Sequence, residues 1–304
     1  MKAKVILNPY ANRWHALQRK TELERALQAC GIQYDLVITE RPGHGTELAG
    51  QAVLEGFDPI ISAGGDGSIS EVVNGIVSSN GQDNHKRSPA LGIMPLGSAN
   101  DLAVNLGLPN GLEACAAVIA NGKHKFMDLG QVNGRFFDNN SAVGLEPTIT
   151  LIQQGIPLLR GSIRYLLATL IGVMKNVHWN MHLEWDNGEY SGPVSLVTIG
   201  NHPLTGGVFY MTPHANAFDG KLTFVYGYMK TRRQILQILP RTMKPGPDSY
   251  VEHPNIHEHH TTWLKISSEK PTPMHADGEI QSKAISEVQY KIIPGILPVL
   301  LTER

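Results

Sequence analysis

The first part of the chain alternates short apolar runs with amphipathic stretches. The apolar runs predict strands at Ala3–Leu7, Tyr34–Thr39, Ile60–Ile61 and Ala90–Met94. Apolar residues at helical spacing predict helices over Leu17–Cys30, Thr46–Leu54, Ser68–Ser78 and Leu112–Ile119. Alternation of strand and helix is typical of an α/β domain with a parallel sheet, in which ligands bind at the carboxyl ends of the strands.

From Lys125 onwards the pattern changes to alternating segments that are separated by turn residues. Asn133-Gly134 and Asp186-Asn187-Gly188 predict hairpins. Further strands are predicted over Leu222–Tyr228, Thr262–Ser267 and Glu287–Ile293, and helices over Arg160–Met174 and Thr231–Leu239. We therefore predict an α/β domain at residues 1–124 and a mainly antiparallel β domain at residues 125–293, with residues 294–304 able to return to the first domain.

Composition narrows the class of protein. The chain has 304 residues and a net charge of −1, so it lacks the overall positive field that recruits nucleic acid. Its two cysteines, Cys30 and Cys115, fall in predicted helices, which argues against a disulfide scaffold or a cysteine zinc site. The most apolar stretch, Ile163–Met174, is shorter than the roughly 20 residues that span a bilayer. We expect a cytoplasmic protein with at most peripheral membrane contact and no nucleic-acid partner.

Two glycine-bearing loops follow predicted strands. Gly64-Gly65-Asp66-Gly67-Ser68 opens a helix, and Pro95-Leu96-Gly97-Ser98-Ala99-Asn100-Asp101 precedes further apolar spacing. Glycine loops at helix N-termini favour phosphate groups. Asp66 complicates this interpretation, because a carboxylate repels a phosphate unless Mg²⁺ lies between them, the acid is protonated or it binds a hydroxyl. Neither loop contains the lysine of a Walker loop, and no G-x-G-x-x-G follows the first strand.

Together with Glu71 and Asn74, the two loops resemble the diacylglycerol kinase catalytic family, particularly its soluble bacterial lipid kinases. The resemblance covers nearly the whole chain, through Asp128-Leu129-Gly130, Gly206-Gly207, Asp219-Gly220-Lys221-Leu222 and Asp277-Gly278-Glu279. NAD kinases share the first glycine motif, so the resemblance implies an NAD-kinase-like α/β domain and a cleft between the two domains. Ser68 and Ser98 replace the family's usual threonines, and Asn12 stands where glycine is frequent.

The resemblance also implies site residues. Those for nucleotide binding are Asn8, Pro9, Tyr10, Ala11, Asn12, Thr39, Gly64, Gly65, Asp66, Gly67, Ser68, Ile69, Ser70 and Ser98. Those for catalysis are Glu279 as the base, Asp277 as its neighbour, and Asp66, Asp101 and Asp128 as a carboxylate and water network around Mg²⁺. A second Mg²⁺, structural or regulatory, would bind the Asp219 side chain and the main-chain carbonyls of Asn216 and Lys221. The alternative for this segment is a hairpin turn that Asp219 stabilises.

The function that the resemblance implies is phosphoryl transfer from ATP, with Mg²⁺, to the hydroxyl of a lipid alcohol. Diacylglycerol is the leading acceptor, and sphingoid bases, phosphatidylglycerol or another lipid alcohol are alternatives. Two other functions stay open: NAD kinase-like phosphorylation of a nucleotide, and nucleotide binding by a lipid sensor without turnover. The oligomeric state is also open, with a homodimer as one option.

Two further segments invite a functional interpretation. Gly155–Met174 is apolar on most sides, with Arg160 and Arg164 among its residues, so it is either buried or in part a lipid-facing surface. His257-Glu258-His259-His260 suggests a metal site, but we predict a solvated polar loop there.

Overall fold

The computed structural model describes residues 2–80, 88–156, 161–175 and 178–302, and only the backbone of residues 161–165. Arg160 and the side chain of Arg164 therefore lie outside the described residues. The strands are β1 Ala3–Leu7, β2 Tyr34–Ile38, β3 Ile60–Gly64, β4 Leu91–Pro95, β5 His124–Val132, β6 Arg135–Phe137, β7 Asn140–Gly144, β8 Trp179–Trp185, β9 Gly188–Val194, β10 Leu196–Gly200, β11 Leu204–Thr205, β12 Phe209–Tyr210, β13 Leu222–Gly227, β14 Ile256–Thr261, β15 Trp263–Ala276 and β16 Glu279–Leu300. The helices are α1 His15–Gln18, α2 Lys20–Ala29, α3 His44–Leu54, α4 Asp66–Asn80, α5 Asp101–Asn105, α6 Leu112–Asn121, α7 Leu145–Gln154, α8 Gly161–Lys175 and α9 Arg232–Ile238, with short 3₁₀ turns at Leu239–Met243 and Tyr250–Glu252.

The chain divides into two compact units. Unit 1 comprises Met1–Leu129 and Ile293–Arg304, and unit 2 comprises Gly130–Ile292. The predicted boundary after residue 124 thus falls slightly before the division that the structure shows. The final segment belongs to unit 1, where Val299 of β16 pairs with Leu91 of β4.

Unit 1 contains the parallel sheet that its apolar runs predict. Its strands lie in the order β4-β3-β1-β2, and the neighbouring pairs β1–β2, β1–β3 and β3–β4 are all parallel. Residues such as Val5, Leu7 and Ile61 are fully buried because helices cover the sheet. The predicted helix over Leu17–Cys30 is instead two helices, α1 and α2, which Arg19 separates with φ −90° and ψ 6°.

Unit 2 is mainly antiparallel, as predicted. Strands β14-β13-β10-β7-β15 lie in this order, and β8 and β9 extend the sheet from β15. Both predicted hairpins are present, since Val132 pairs with Arg135 and Trp185 pairs with Gly188. The core is rich in aromatic and branched side chains, including Phe137, Leu183, Val197, Phe224 and Tyr290.

The prediction of a loop at residues 257–260 is wrong, although His257 and His260 are exposed to solvent. These residues lie in β14, which pairs with β13 so that His259 faces Phe224 and His257 faces Tyr226. The His259 ring stacks on Phe224 with the centroids 5.4 Å apart. A run of histidines looks polar in sequence, but an imidazole ring also packs against aromatic faces, and here that contact and the backbone ladder form a strand.

Two absences concern the described part of the chain only. None of its helices is long and apolar enough to cross a membrane. Within the same ranges, no three or more His, Cys, Asp or Glu side chains form a group that could hold a metal ion.

Candidate active site

The two glycine loops lie side by side at the carboxyl edge of the unit 1 sheet. β3 and β4 pair in parallel up to Gly64 and Pro95, and the Leu96 amide donates to the Gly64 carbonyl at 2.8 Å. A Cβ atom on Gly97 would lie 2.4 Å from the Gly65 Cα atom, and one on Gly65 would lie 3.1 Å from the Gly97 Cα atom. Only glycine at position 97 allows the two backbones to approach this closely, and a Cβ atom at position 65 would be tight.

The loop after β1 is hydrogen-bonded to both glycine loops. The Asn8 Nδ2 atom donates to Ser68 Oγ at 2.8 Å, and Ser98 Oγ donates to Asn12 Oδ1 at 3.0 Å. Asn12 has a φ of 48°, which asparagine tolerates better than most residues. Both serines therefore use the hydroxyl that they share with threonine. Three loops from three neighbouring strands thus form one polar edge, to which most of the predicted nucleotide residues belong.

Asp66 accepts hydrogen bonds at the start of α5. Its Oδ1 atom receives the Leu102 amide at 3.1 Å. Burial raises the pKa of the Asp66 carboxyl, while the backbone amides of Leu102, Asp66, Asn100 and Asp101 oppose that rise. The carboxylate therefore connects the first glycine loop to the helix that follows the second one, a role that the sequence does not suggest.

The other two acids of the predicted Mg²⁺ network are also buried. Asp101 lies in the first turn of α5, where it is 5% exposed, and Asp128 is 3% exposed. Asp128 Oδ1 accepts the Gly295 amide at 2.7 Å, so it fastens the returning strand β16. Their binding of Mg²⁺ stays a prediction.

The remaining predicted nucleotide residues differ in accessibility. Ile69 and Ser70 in α4 have no exposed surface, and Thr39 is also buried. Tyr10 is exposed beside Trp14, with the ring centroids 4.2 Å apart. The position of Trp14 beside Tyr10 could not be predicted, because an isolated tryptophan in a polar loop carries no sequence pattern.

Glu71 has a structural role. Its two carboxylate oxygens accept the Gly43 and Gly45 amides at 2.7 and 2.9 Å. These amides belong to the N-terminus of α3, where a carboxylate is favoured by the helix dipole. Glu71 therefore holds α3 against α4.

The predicted catalytic pair in unit 2 occupies the turn between β15 and β16. Asp277 and Gly278 have φ values of 46° and 75°, so Ala276 and Glu279 pair across a two-residue turn. The Asp277 carboxylate accepts the amides of Asp138, Asn139 and Asn140 at 3.0–3.2 Å. Glu279 is half exposed and forms an ion pair with Arg135 at 2.8 Å. Asp277 thus organises the backbone, while Glu279 is accessible.

The predicted metal loop at Asn216, Asp219 and Lys221 forms local turns. Asp219 Oδ1 accepts the Lys221 amide at 2.9 Å, and Asn216 Oδ1 accepts the Phe218 amide at 3.2 Å. Both side chains therefore stabilise the backbone of this segment. Metal binding there stays a prediction.

Unit 2 also contains an apolar cavity of about 80 Å³. Its lining comes from α7, α8, α9, β10, β13 and the segments around them: Leu145, Glu146, Ile149, Thr169, Val173, Ser195, Leu196, Phe209, Met211, Gly227, Met229, Ile235, Ile238, Leu239, Thr242, Tyr250 and Ile256. The Gly155–Met174 stretch contributes Thr169 and Val173, both almost fully buried. The other lining residues were not predicted, since no motif connects positions so far apart in sequence.

Comparison with known proteins identifies the family. Residues 2–132 match the model of the diacylglycerol kinase catalytic domain, and residues 140–301 match that of the YegS C-terminal NAD kinase beta sandwich-like domain. The chain belongs to the diacylglycerol kinase catalytic family. A Staphylococcus aureus diacylglycerol kinase is 28% identical over 291 residues, which are 93% of this chain and 87% of that relative. One from Staphylococcus carnosus is 24% identical over 279 residues, 91% of this chain and 88% of that relative.

Solved structures show the same fold. A Bacillus anthracis structure described as a candidate diacylglycerol kinase has a TM-score of 0.79 at 23% identity, covering 99% of this chain and 97% of that one. A yeast NADH kinase has a TM-score of 0.52 at 9% identity, covering 100% of this chain and 84% of that one. The predicted two-domain, NAD-kinase-like fold is therefore confirmed. Membership of the diacylglycerol kinase family makes this chain a kinase of the lipid kinase type.

Proposed function

We propose that this chain transfers the γ-phosphoryl group of ATP to the hydroxyl of a lipid alcohol, with diacylglycerol as the first acceptor to test. The apolar cavity of unit 2 carries this proposal. Its lining consists mostly of hydrocarbon side chains, which suit an acyl chain and leave the ribose and phosphate groups of a nucleotide acceptor without partners. The cavity therefore favours a lipid kinase over an NAD kinase-like enzyme.

In this proposal the three-loop edge of unit 1 binds ATP. Gly64, Gly65 and Gly97 allow the loops to pack closely where α4 begins, and the N-terminus of a helix favours phosphate groups. Asn8, Ser68 and Ser98 are already held by hydrogen bonds between the loops, so little side-chain ordering is required when the nucleotide binds.

The proposed chemistry needs a base for the acceptor hydroxyl. The hydroxyl oxygen forms a bond to the γ-phosphorus, the bond from that phosphorus to the bridging β-γ oxygen breaks, and ADP leaves. The hydroxyl proton passes to the Glu279 carboxylate, which is accessible beside Arg135. Asp277 holds the turn that carries Glu279, through the amides of residues 138–140.

Mg²⁺ is part of the same proposal. When bound, it would neutralise phosphate charge, and such sites use one or two carboxylates with phosphate and water oxygens. Asp66, Asp101 and Asp128 are buried acids of unit 1 with the oxygen chemistry that Mg²⁺ prefers. They are the residues that we propose would hold the ion.

We further propose that α8 contacts an anionic membrane surface. Its side chains Leu166, Leu167, Leu170, Ile171 and Met174 are between 36% and 55% exposed. Residues 147–183 and 220–247, which include α8 and its neighbour α9, contain no Asp or Glu. Among the exposed cationic residues of α8 and of residues 220–247 are Lys175, Lys230, Arg232, Arg233 and Lys244. An apolar face with basic flanks is typical of interfacial binding.

Vesicle flotation tests this surface. With phosphatidylglycerol vesicles, the double variant Leu170→Gln and Ile171→Gln should reduce the bound fraction about tenfold, because two apolar side chains no longer enter the bilayer. Leu54→Gln is the matched control, since Leu54 is 81% exposed on α3 of unit 1. Equal losses in both variants would remove α8 as the contact.

Incubation with γ-labelled ATP, a panel of lipid alcohols and NAD tests the reaction. We expect a labelled lipid phosphate that requires Mg²⁺. Labelled NAD alone would overturn the lipid proposal. Nucleotide binding without any labelled product would instead support a lipid sensor.

A further inference from the structure

Among the described residues that line the apolar cavity, Glu146 is the one that carries a charge. It lies in the first turn of α7 and is 7% exposed. Three side chains hold its carboxylate: Asn140 Nδ2 donates to Oε1 at 3.0 Å, Thr198 Oγ1 donates to Oε2 at 2.9 Å, and His275 Nε2 lies 3.2 Å from Oε1. A buried acid at an apolar surface requires such partners.

The carboxylate has acceptor capacity beyond these three contacts. Two carboxylate oxygens offer about four lone-pair positions, so Oε2, with Thr198 as its side-chain donor, can accept another hydrogen bond. Burial by itself would raise the pKa of Glu146, but the hydrogen bond and the charge of His275, with Thr198 and Asn140, outweigh it and lower the pKa. Glu146 is therefore a negatively charged acceptor at neutral pH.

The same network reaches the proposed catalytic turn. Asn140, which donates its side chain to Glu146, also donates its backbone amide to Asp277 Oδ1 at 3.2 Å. The Asp277 amide in turn donates to the Asn140 carbonyl at 2.7 Å. Asn140 thus connects the cavity carboxylate with the turn that carries Glu279.

We propose that Glu146 determines acceptor specificity by accepting a hydrogen bond from a second donor, such as a further hydroxyl or an amide N–H, on the lipid head region. This inference rests on the proposed lipid kinase function and refines its substrate class. Diacylglycerol has only the hydroxyl that receives the phosphoryl group, whereas a monoacylglycerol has one more. A site built around a buried acceptor discriminates against ligands that leave it without a donor.

The first test uses the wild-type protein and two acceptors, 1-oleoylglycerol and 1-oleoyl-2-O-methylglycerol. Both have the same primary hydroxyl and acyl chain, and they differ in the second donor. We expect kcat/KM to be about tenfold or more higher for 1-oleoylglycerol, since a hydrogen bond to a charged group is lost with the methyl ether. Equal use of the two compounds would overturn this inference alone. Phosphorylation of neither compound nor any other lipid would overturn the proposed function as well.

The second test compares Glu146→Gln with Glu258→Gln. Glu258 is a matched control because its side chain is 11% exposed in the same unit, bonded to His214, and does not line the cavity. In Glu146→Gln the ratio of kcat/KM between the two acceptors should fall to within about twofold of unity, because the amide is a weaker acceptor than the carboxylate. Glu258→Gln should keep the wild-type ratio.

The ratio separates specificity from a purely structural role. A variant that only loosens the fold lowers kcat/KM for both acceptors together and leaves their ratio unchanged. An unchanged ratio in a folded Glu146→Gln protein, judged by circular dichroism, would therefore overturn the inference. If that variant does not fold, the comparison of 1-oleoylglycerol with its methyl ether on the wild-type protein tests the inference.

Discussion

In unit 1, the residues of the candidate nucleotide site lie in three loops, each within a few positions of a strand end, whereas the unit 2 cavity collects side chains from positions 145 to 256. The loops meet through backbone atoms, at Gly65 and Gly97, and through short polar side chains. The cavity is formed almost entirely by side chains of helices and strands.

This difference has a physical origin. A phosphate group is recognised by backbone amides, so the residues that matter must allow a particular backbone path, and glycine marks them in sequence. A hydrocarbon chain is recognised by apolar surface that any of several residue types can supply. The first kind of site therefore leaves a local motif, and the second leaves none.

The largest expected effect concerns the proposed base. Glu279→Gln should lower kcat about 100- to 10,000-fold, because it removes general-base catalysis. It should change the free energy of unfolding by less than about 1 kcal/mol, because the ion pair of Glu279 is exposed. Steady-state kinetics and urea unfolding measure the two quantities. Glu287→Gln is the control, since Glu287 also lies on β16 in an exposed ion pair, with Lys265 at 3.2 Å. Near-normal turnover in Glu279→Gln would remove it as the base.

The contact between the glycine loops gives the next effect. Gly97→Ala places a Cβ atom 2.4 Å from the Gly65 Cα atom, so the loops must separate. We expect kcat/KM for ATP to fall about 100-fold, as for other displacements of about 1 Å, with a loss of about 1–3 kcal/mol in stability. Gly246→Ala is the control because no atom lies within 4 Å of the added Cβ. Equal kinetics in the two variants would contradict the loop contact.

Filling the cavity should have a smaller and more selective effect. Ile149 lines the cavity from α7 and is 5% exposed. In Ile149→Phe, we expect KM for an oleoyl acceptor to rise about tenfold, since the larger ring removes space for the chain. KM for ATP and for an octanoyl acceptor should stay near the wild-type values. A parallel rise in all three would indicate general damage to the fold instead.

The smallest effect is a pH dependence of stability at Asp66. Burial raises its pKa above the ordinary value of 3.8, so the folded state favours the neutral acid. The contribution of the protonated Asp66 to the free energy of unfolding is therefore lost as the pH rises through the raised pKa. Asp66→Asn has no such charge. Its free energy of unfolding relative to the wild type should therefore improve as the pH rises from about 4 to about 7. Urea unfolding at both pH values measures this change, and a constant difference would contradict the assigned burial.

Several parts of the structure could be predicted from single residues and their spacing. The parallel order of β1, β3 and β4 follows from alternating apolar runs and helices, and the hairpin at Asn133-Gly134 from the turn preference of that pair. The strand at His257–His260 could not be predicted, because its stability comes from stacking on Phe224 and Tyr226, more than thirty positions earlier. The same applies to the partners of Asp66, since nothing near it in sequence indicates the amides of α5.

The sequence by itself determined the fold class, the two glycine loops and the family, since each of these depends on backbone conformation and on residues close together in the chain. Only the tertiary structure decided which acids accept hydrogen bonds from backbone amides and where the apolar cavity lies. It also decided that Glu146 is the charged residue among the described residues of the lining. The burial of a side chain and its hydrogen-bond partners depend on contacts between segments that are distant in sequence. Many residue types can supply such contacts. The local pattern around Glu146 therefore carries no sign of the three side chains that hold its charge.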